Sequence, residues 1–135
     1  MGVKEASGNV SQAMGIISTC GDDLPVYSGN DDLIVPLMSI GAKGVISVLS
    51  NILPRVAHDI CRMCLEGNFG EAANLAKEYY DLTDVLFCEV NPIPIKEALD
   101  MAGICEGNLR LPLTRLSEEH KKALKEILVK HNIVK

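Results

Sequence analysis

Short apolar runs alternate with segments of helical periodicity in the first part of the chain. Val3 closes a first strand, and residues 25–28 and 44–49 form two further apolar runs typical of buried strands. Between these runs, residues 9–20 and 30–40 carry apolar side chains at the spacing of one helix face. The order β-α-β-α-β predicts an α/β fold with a parallel sheet and right-handed crossover connections.

Capping residues indicate where these helices begin and end. Asn9 is a candidate N-cap, with Gln12 three residues later as a weak capping box, and Gly21 is placed to end the same helix. Pro54 stands at the favoured first position of another helix, which Gly67 ends. The local signals therefore agree with the apolar pattern.

The remaining sequence is predicted to form helices. Asn68 and Glu71 form a capping box at the start of a long helix that we predict to continue to Phe87. A second helix is predicted over residues 94–103, and Ser117 caps a last one. These three helices follow one another with no strand between them.

Strands are thus predicted only in the first part of the chain. We predict two parts, residues 1–53 with the βαβαβ pattern and residues 54–135 with helices alone. Three parallel strands have two open edges, whose free backbone donors and acceptors invite pairing with another chain. We therefore expect the first part to meet a partner chain or to expose its edges.

Charge and composition exclude several classes of protein. The net charge is −5, the sequence pI is about 5.1, and no basic stripe is present, which argues against a nucleic-acid partner. The uncharged stretches at residues 33–42 and 44–54 are too short to span a bilayer. The first residues do not have the pattern of a signal peptide. We expect a cytoplasmic protein with no membrane association.

Five cysteines fit a reducing compartment better than a disulfide framework, because their number is odd. Cys61 and Cys64 form a Cys-x-x-Cys motif, and His58 precedes it at the same spacing. A metal site would need a fourth ligand, and a redox site would need a strand–turn–helix context. Neither is visible, so we interpret the two cysteines as small apolar side chains on a helix face and expect no metal and no cofactor.

Lys4 is the most informative residue of the sequence. It follows the first apolar run and precedes a glycine turn and a helix start. A lysine at the carboxyl tip of a parallel strand is where a Schiff-base nucleophile lies in a barrel enzyme. Four further motifs follow in order: Ser28-Gly29-Asn30-Asp31, Gly44-Val45-Ile46-Ser47-Val48, Asn91-Pro92-Ile93-Pro94-Ile95-Lys96 and Leu109-Arg110-Leu111-Pro112.

In order and spacing, these motifs resemble the C-terminal half of the dihydrodipicolinate synthase (4-hydroxy-tetrahydrodipicolinate synthase) family, the class I pyruvate-dependent lyases. The resemblance runs from Gly2 to Val134 without an obvious insertion. It implies strands six to eight of a (β/α)₈ TIM barrel in residues 1–53. Residues 54–135 would then be the last barrel helix and a three-helix C-terminal extension. A full barrel needs about 250 residues, so the implied barrel is incomplete.

The resemblance also implies the site residues. Lys4 matches the catalytic lysine, whose amine forms a Schiff base with pyruvate before the condensation with aspartate semialdehyde in lysine biosynthesis. Gly29 would line the pocket near Lys4, and Ile46 would offer its backbone carbonyl to the bound pyruvate. A lysine performs this chemistry only if desolvation or a nearby cation lowers its pKa.

The family's other catalytic groups come from the N-terminal half, namely a proton-relay tyrosine, a threonine pair and an arginine that holds the semialdehyde. No position here matches them, so we expect this chain to be almost inactive alone. We expect it to form a homo-oligomer or to pair with an N-terminal half. By resemblance, the family's tetramers use the helix after the lysine, here near Val10 and Ser11, with Ile40 close by.

Two other functions stay open at this point. The chain would serve as a non-catalytic structural or assembly partner of a full-length synthase, or as half of a sister pyruvate aldolase with a different aldehyde. The Asn-Pro-Ile-Pro-x-Lys segment favours the synthase over sister lyases that act on sialic acid.

Overall fold

The computed structural model describes residues 1–135, which divide into two compact units, Met1–Glu78 and Tyr79–Lys135. The α/β character predicted from the sequence is confirmed, with two parallel strands and seven α-helices. None of the helices combines the length and the apolar character that crossing a membrane would require.

The sheet of the first unit is small. β1 (Val3–Glu5) pairs with β2 (Val26–Ser28) in parallel, with Lys4 opposite Tyr27 in the register. Each strand has three residues and turns only its first and last side chains toward the helices.

The prediction of a third strand over residues 44–49 is wrong, because this segment does not form a full strand. The segment makes one parallel bridge, Ser28 to Val45, with three backbone hydrogen bonds of 2.8 Å around it, and then turns into the 3-10 helix Leu49–Asn51. The reason is the Asp31 carboxylate, which accepts hydrogen bonds from the backbone N–H groups of Val48 and Leu49 at 2.8 and 3.1 Å. These bonds favour a helical turn over a continued strand.

The first unit also contains four helices. They are α1 (Val10–Cys20), α2 (Ile34–Ser39), α3 (Pro54–Leu65) and α4 (Phe69–Glu78). Two more 3-10 segments, Gly21–Asp23 and Asp31–Leu33, lie at a helix end and a helix start. The shared core consists of nine buried side chains: Ala13, Val26, Ile34, Leu37, Met38, Ala42, Ile60, Cys64 and Ala72.

The capping predictions for this unit are confirmed where the structure shows the caps. The Asn9 side chain accepts a hydrogen bond from the Gln12 N–H at 3.1 Å, which fixes the start of α1. Gly67 ends α3 with φ of 82°, a left-handed conformation that favours glycine. Pro54 opens α3 as expected.

The second unit contains α5 (Tyr80–Val85), α6 (Ile93–Met101) and α7 (Glu118–Lys130). Helix α7 packs against both α5 and α6. Ser117 caps α7 as predicted, its hydroxyl accepting from the His120 N–H. The fully buried side chains of this unit include Leu82, Leu86, Ala98, Leu124 and Leu128.

The prediction of one long helix from residue 68 to Phe87 is wrong. The helix is interrupted at Tyr79, which has φ −106° and ψ 15°, and α5 begins at the next residue. The ring of Tyr79 stacks on the imidazole of His131 with centroids 4.9 Å apart. The interruption therefore falls at the residue that makes a contact with the distant end of the chain.

Candidate functional site

Lys4 occupies the middle position of β1 and is exposed. Its neighbours along the strand, Val3 and Glu5, are half-buried and buried toward the helices. Successive side chains of a strand point to opposite faces, so Lys4 lies on the sheet face away from the core. Tyr27, its partner in the register, lies on the same open face.

The structure brings Gly29 against Lys4. The Gly29 N–H donates a hydrogen bond of 2.6 Å to the Glu5 carbonyl oxygen, at the carboxyl ends of the two strands. A Cβ atom at position 29 would lie 3.0 Å from Lys4 Cε and only 2.5 Å from Ala6 Cβ. Glycine is therefore required here by close approach and not by backbone conformation.

Ile46 lies beside these two residues. Its N–H donates to the Ser28 carbonyl oxygen at 2.8 Å, and its side chain is 48% exposed. Because Val45 packs against the core, alternation places the Ile46 side chain on the open face with Lys4. The role of its carbonyl oxygen toward a ligand stays a prediction.

Buried polar residues at the same strand ends are the part of the site that sequence reasoning missed. Ser28 is fully buried, and its hydroxyl donates to the Asn30 carbonyl oxygen at 2.7 Å and accepts from the Asn30 N–H at 3.2 Å. Asp31 is 5% exposed and caps the turn at Val48. The sequence does contain a signal for these residues. The Ser-Gly-Asn-Asp run directly after a buried strand has more polar side chains than a turn requires.

Glu5 is the other unanticipated residue. Its side chain is only 4% exposed, although it directly follows the exposed Lys4. One carboxylate oxygen, Oε1, accepts a hydrogen bond from the Ser7 N–H at 2.9 Å. The other, Oε2, is buried and has no hydrogen-bond partner.

The Cys-x-x-Cys motif of α3 lies in the core and not in a reactive site. Burial is the main cause that raises the pKa of Cys61, to about 11, and the Cys64 thiol adds to the shift. Burial also raises the pKa of Cys64. His58 is exposed and contacts the Asp59 carboxylate at 3.1 Å. Thiols with raised pKa values are poor nucleophiles and poor metal ligands.

A groove on the second unit contains none of the motif residues that point to chemistry. It has a volume of about 980 Å³ and is lined by the end of α6, one face of α7 and the last four residues. Lys121, on its wall, is already paired with the buried Glu97 carboxylate at 2.6 Å. The strand ends around Lys4 are therefore the better candidate site, because they combine a nucleophile with buried polar groups.

Comparison with known proteins identifies the family of the chain. The sequence model of the Dihydrodipicolinate synthetase family matches residues 1–131. The 4-hydroxy-tetrahydrodipicolinate synthase of Sulfurihydrogenibium sp. is 46% identical over the whole of this chain, and the match covers 46% of that protein. The chain thus spans about half the length of this curated relative.

Solved structures give the same result. The dihydrodipicolinate synthase of Aquifex aeolicus superimposes with a TM-score of 0.95 at 43% identity, over 98% of this chain and 45% of that one. The chloride-inhibited enzyme of Acinetobacter baumannii, complexed with pyruvate, gives a TM-score of 0.94 at 36% identity, over 99% of this chain and 46% of that one. Since the family model covers nearly the whole sequence, this chain belongs to the dihydrodipicolinate synthetase family.

Proposed function

We propose that this chain carries the Schiff-base lysine of a lysine-biosynthesis synthase that condenses pyruvate with aspartate semialdehyde. The observation that carries the proposal is the contact of Gly29 with Lys4 at the carboxyl ends of two parallel strands. Active sites of (β/α)₈ barrels lie at this end of the strands. In this proposal residues 1–53 supply strands six to eight, and residues 54–135 the last barrel helix and the C-terminal extension.

The proposed reaction begins at the Lys4 amine. In its neutral form it attacks the ketone carbon of pyruvate, and a C–N bond forms. The ketone oxygen takes up protons and leaves as water, which gives a protonated imine. Loss of a proton from the methyl group gives an enamine, whose carbon attacks the aldehyde carbon of aspartate semialdehyde. The bond between Lys4 and the product is later broken by addition of water or by an internal amine.

Gly29 and Ile46 have supporting roles in this proposal. Gly29 leaves room for the Lys4 side chain at the strand end, where any larger residue would meet Ala6 and the Lys4 stem. Ile46 would present its backbone carbonyl to pyruvate from the neighbouring segment. Neither residue is asked to transfer a proton.

The chain needs a partner for efficient catalysis. Lys4 is exposed and Ile46 is half exposed, so nothing in this chain covers the site or excludes water. Proton relay and substrate positioning each contribute factors of about 10² or more to a rate. We propose that these terms come from an N-terminal half, paired with this chain inside a homo-oligomer or a mixed assembly in the cytoplasm.

A non-catalytic role as an assembly partner of a full-length synthase is the second candidate. The observation in its favour is α1, a helix without a single charged residue whose Val10 and Met14 are 37% and 45% exposed. A helix face of this kind suits a protein interface. A chain in this role would keep α1 but would not need the glycine at position 29.

Reductive trapping separates these functions. Pyruvate and borohydride should label Lys4 weakly in the isolated chain and strongly after addition of the N-terminal half of the Sulfurihydrogenibium relative. Lys43, an exposed lysine paired with Asp22 at 3.4 Å, is the internal control and should stay unlabelled. Strong labelling of the lone chain, or none in the mixture, would contradict the proposal. The same mixture can be given pyruvate with glyoxal-type or sugar aldehydes in place of aspartate semialdehyde. Formation of a condensation product with one of these aldehydes would identify a sister aldolase.

A further inference from the structure

The segment after Gly44 begins to pair with β2 as a parallel strand does. The Ser28 N–H donates to the Gly44 carbonyl oxygen, and the Ile46 N–H donates to the Ser28 carbonyl oxygen, both at 2.8 Å. In a parallel ladder, every second residue of a strand makes both of its bonds to the same neighbour. The next such residue after Ser28 is Asn30. Its N–H would donate to the Ile46 carbonyl oxygen, and its carbonyl oxygen would accept from the Val48 N–H.

Neither of these two ladder bonds forms, because side chains take their place. The Ser28 hydroxyl donates to the Asn30 carbonyl oxygen at 2.7 Å and accepts from the Asn30 N–H at 3.2 Å, so both backbone groups of Asn30 are occupied. The Asp31 carboxylate accepts from the Val48 N–H at 2.8 Å. The Ile46 carbonyl oxygen is left without any hydrogen bond from the chain.

The backbone of β2 would allow the ladder to continue. Asn30 keeps an extended conformation, with φ −119° and ψ 125°. On the other edge of β2, the Gly29 N–H still donates to the Glu5 carbonyl oxygen at 2.6 Å. The ladder therefore ends through the side chains of Ser28 and Asp31. Both are buried, at 0% and 5% exposed, so water competes little for their hydrogen bonds.

We propose that Ser28 and Asp31 are positioning residues that keep the Ile46 carbonyl out of the sheet, free to accept a hydrogen bond from a ligand at the strand ends. This role rests on the proposed Schiff-base function of Lys4. Ser28 and Asp31 contact no substrate in this proposal. They act through the backbone of residues 30 and 46–48.

The chemistry of pyruvate indicates when a free carbonyl is useful. Pyruvate has only acceptors, its ketone and carboxylate oxygens. When the Lys4 amine adds to the ketone carbon, a C–N bond forms, and the ketone oxygen takes up a proton and becomes a hydroxyl. This hydroxyl is a hydrogen-bond donor. The Ile46 carbonyl therefore stabilises the adduct and the transition state leading to it, and not free pyruvate.

Ser28→Ala tests the structural part of this role in the isolated chain. Loss of the hydroxyl frees both backbone groups of Asn30, and the Asn30 N–H should then bind the Ile46 carbonyl. A scalar coupling through this hydrogen bond, from the Asn30 nitrogen to the Ile46 carbonyl carbon, should be absent from the NMR spectrum of the wild type and present in Ser28→Ala. Asp31→Ala should give the corresponding coupling between the Val48 nitrogen and the Asn30 carbonyl carbon.

Pyruvate trapping with borohydride tests the chemical part, in the mixture with the N-terminal half of the Sulfurihydrogenibium relative. The maximum trapping rate at Lys4 should fall about tenfold in Ser28→Ala, the effect of one hydrogen bond. The pyruvate concentration at half-saturation should stay within about threefold of the wild type, because the bond is absent from bound pyruvate. Asp31→Asn retains an oxygen for the Val48 N–H and should keep the maximum rate within about threefold.

Ser117→Ala is the matched control. The Ser117 hydroxyl also donates and accepts, to the Glu89 carboxylate at 2.7 Å and from the His120 N–H, but it lies in the second unit. Neither the NMR couplings nor the trapping rate should change in this variant.

A coupling to Ile46 already present in the wild type, or none in Ser28→Ala, would overturn the role of Ser28. A coupling that appears in Ser28→Ala without loss of trapping rate would also overturn it, because the free carbonyl would then contribute nothing to the reaction. If Ser28→Ala does not fold, Asp31→Ala decides by its own coupling and trapping rate. A wild-type mixture that traps no pyruvate at Lys4 would refute the synthase proposal and this role together, which distinguishes it from the other outcomes.

Discussion

The His131 Nε2 atom lies 2.8 Å from Asp81 Oδ1, although fifty positions separate the two residues in sequence. Lys130 donates to the other oxygen of the same carboxylate. Asp81 lies in α5 and the two basic residues lie at the end of α7, so this cluster joins the two helices. Tyr79 stacks on the His131 ring and completes the contact.

This cluster predicts an acid transition of the second unit. Burial acts to raise the pKa of Asp81, but hydrogen bonds from Lys130, His131 and the Leu82 N–H outweigh it and lower the pKa to about 2. Since the folded pKa lies below the ordinary 3.8, the carboxylate stabilises the fold above pH 3.8 and loses that contribution as the pH falls toward 2. Asp81→Asn should cost about 1–2 kcal/mol at neutral pH, because the site is partly exposed.

Denaturant unfolding between pH 7 and pH 2 measures this effect. The wild type and Asp81→Asn should converge in stability at the acid end of this range. Asp84→Asn is the control, because Asp84 lies on the same short helix and forms no ion pair, and this variant should follow the wild-type curve. A constant difference between Asp81→Asn and the wild type at every pH would contradict the prediction.

Close approach at Gly29 predicts the effect of a single methyl group. Gly29→Ala places a Cβ within 2.5 Å of Ala6 Cβ and 3.0 Å of Lys4 Cε, so the strand end must shift. We expect a loss of about 1–3 kcal/mol in stability from overpacking. In the proposed assembly with an N-terminal half, displacement of Lys4 should reduce pyruvate trapping by about tenfold or more.

Gly15→Ala is the matched control for this substitution. A Cβ at position 15 meets nothing within 4 Å, and Gly15 lies inside α1. Replacing a helical glycine at such a position should be neutral or stabilising by about 0.5–1 kcal/mol. Equal trapping by both alanine variants would show that Gly29 does not position Lys4.

The exposed face of α1 predicts self-association. Val10 and Met14 are 37% and 45% exposed, and the helix has no charged residue that would oppose association of two chains through this face. At micromolar concentration, light scattering should give a mass above the 14.6 kDa of one chain. Met14→Lys should lower that mass, whereas Leu65→Lys, at a 68% exposed apolar position of α3, should not. A clean monomer in the wild type would rule out this interface.

Local signals in the sequence predicted much of the fold. Asn9 and Gly67 act on atoms a few residues away, so their capping roles could be inferred without any tertiary contact. The features of the fold that the sequence predicted wrongly involve contacts between residues distant in sequence. Tyr79 interrupts a helical pattern where it contacts His131, and Asp31 ends the third strand by binding the N–H of Val48, seventeen positions on.

The candidate site divides in the same way. Lys4 and Gly29 could be proposed because their motifs resemble a family, and the structure places them in contact. Glu5 could not, since a glutamate beside an exposed lysine normally indicates a solvated surface. Its burial depends on Ser7, Gly29 and the helices behind the sheet, which no pattern of neighbouring residues reveals.

The weakest element of the first unit should be β1, the strand that carries Lys4. It has three residues and pairs with β2 on one edge only, so few contacts hold it at the end of the sheet. The amides of Val3, Lys4 and Glu5 should therefore exchange hydrogen about 100-fold faster than that of Ala76 in α4. Addition of an N-terminal half should slow exchange at β1 and leave Ala76 unchanged, because a new strand would cover the open edge beside Lys4. Equal protection of β1 and Ala76 in the isolated chain would show that Lys4 is already held rigidly, and that a partner is not needed to orient it.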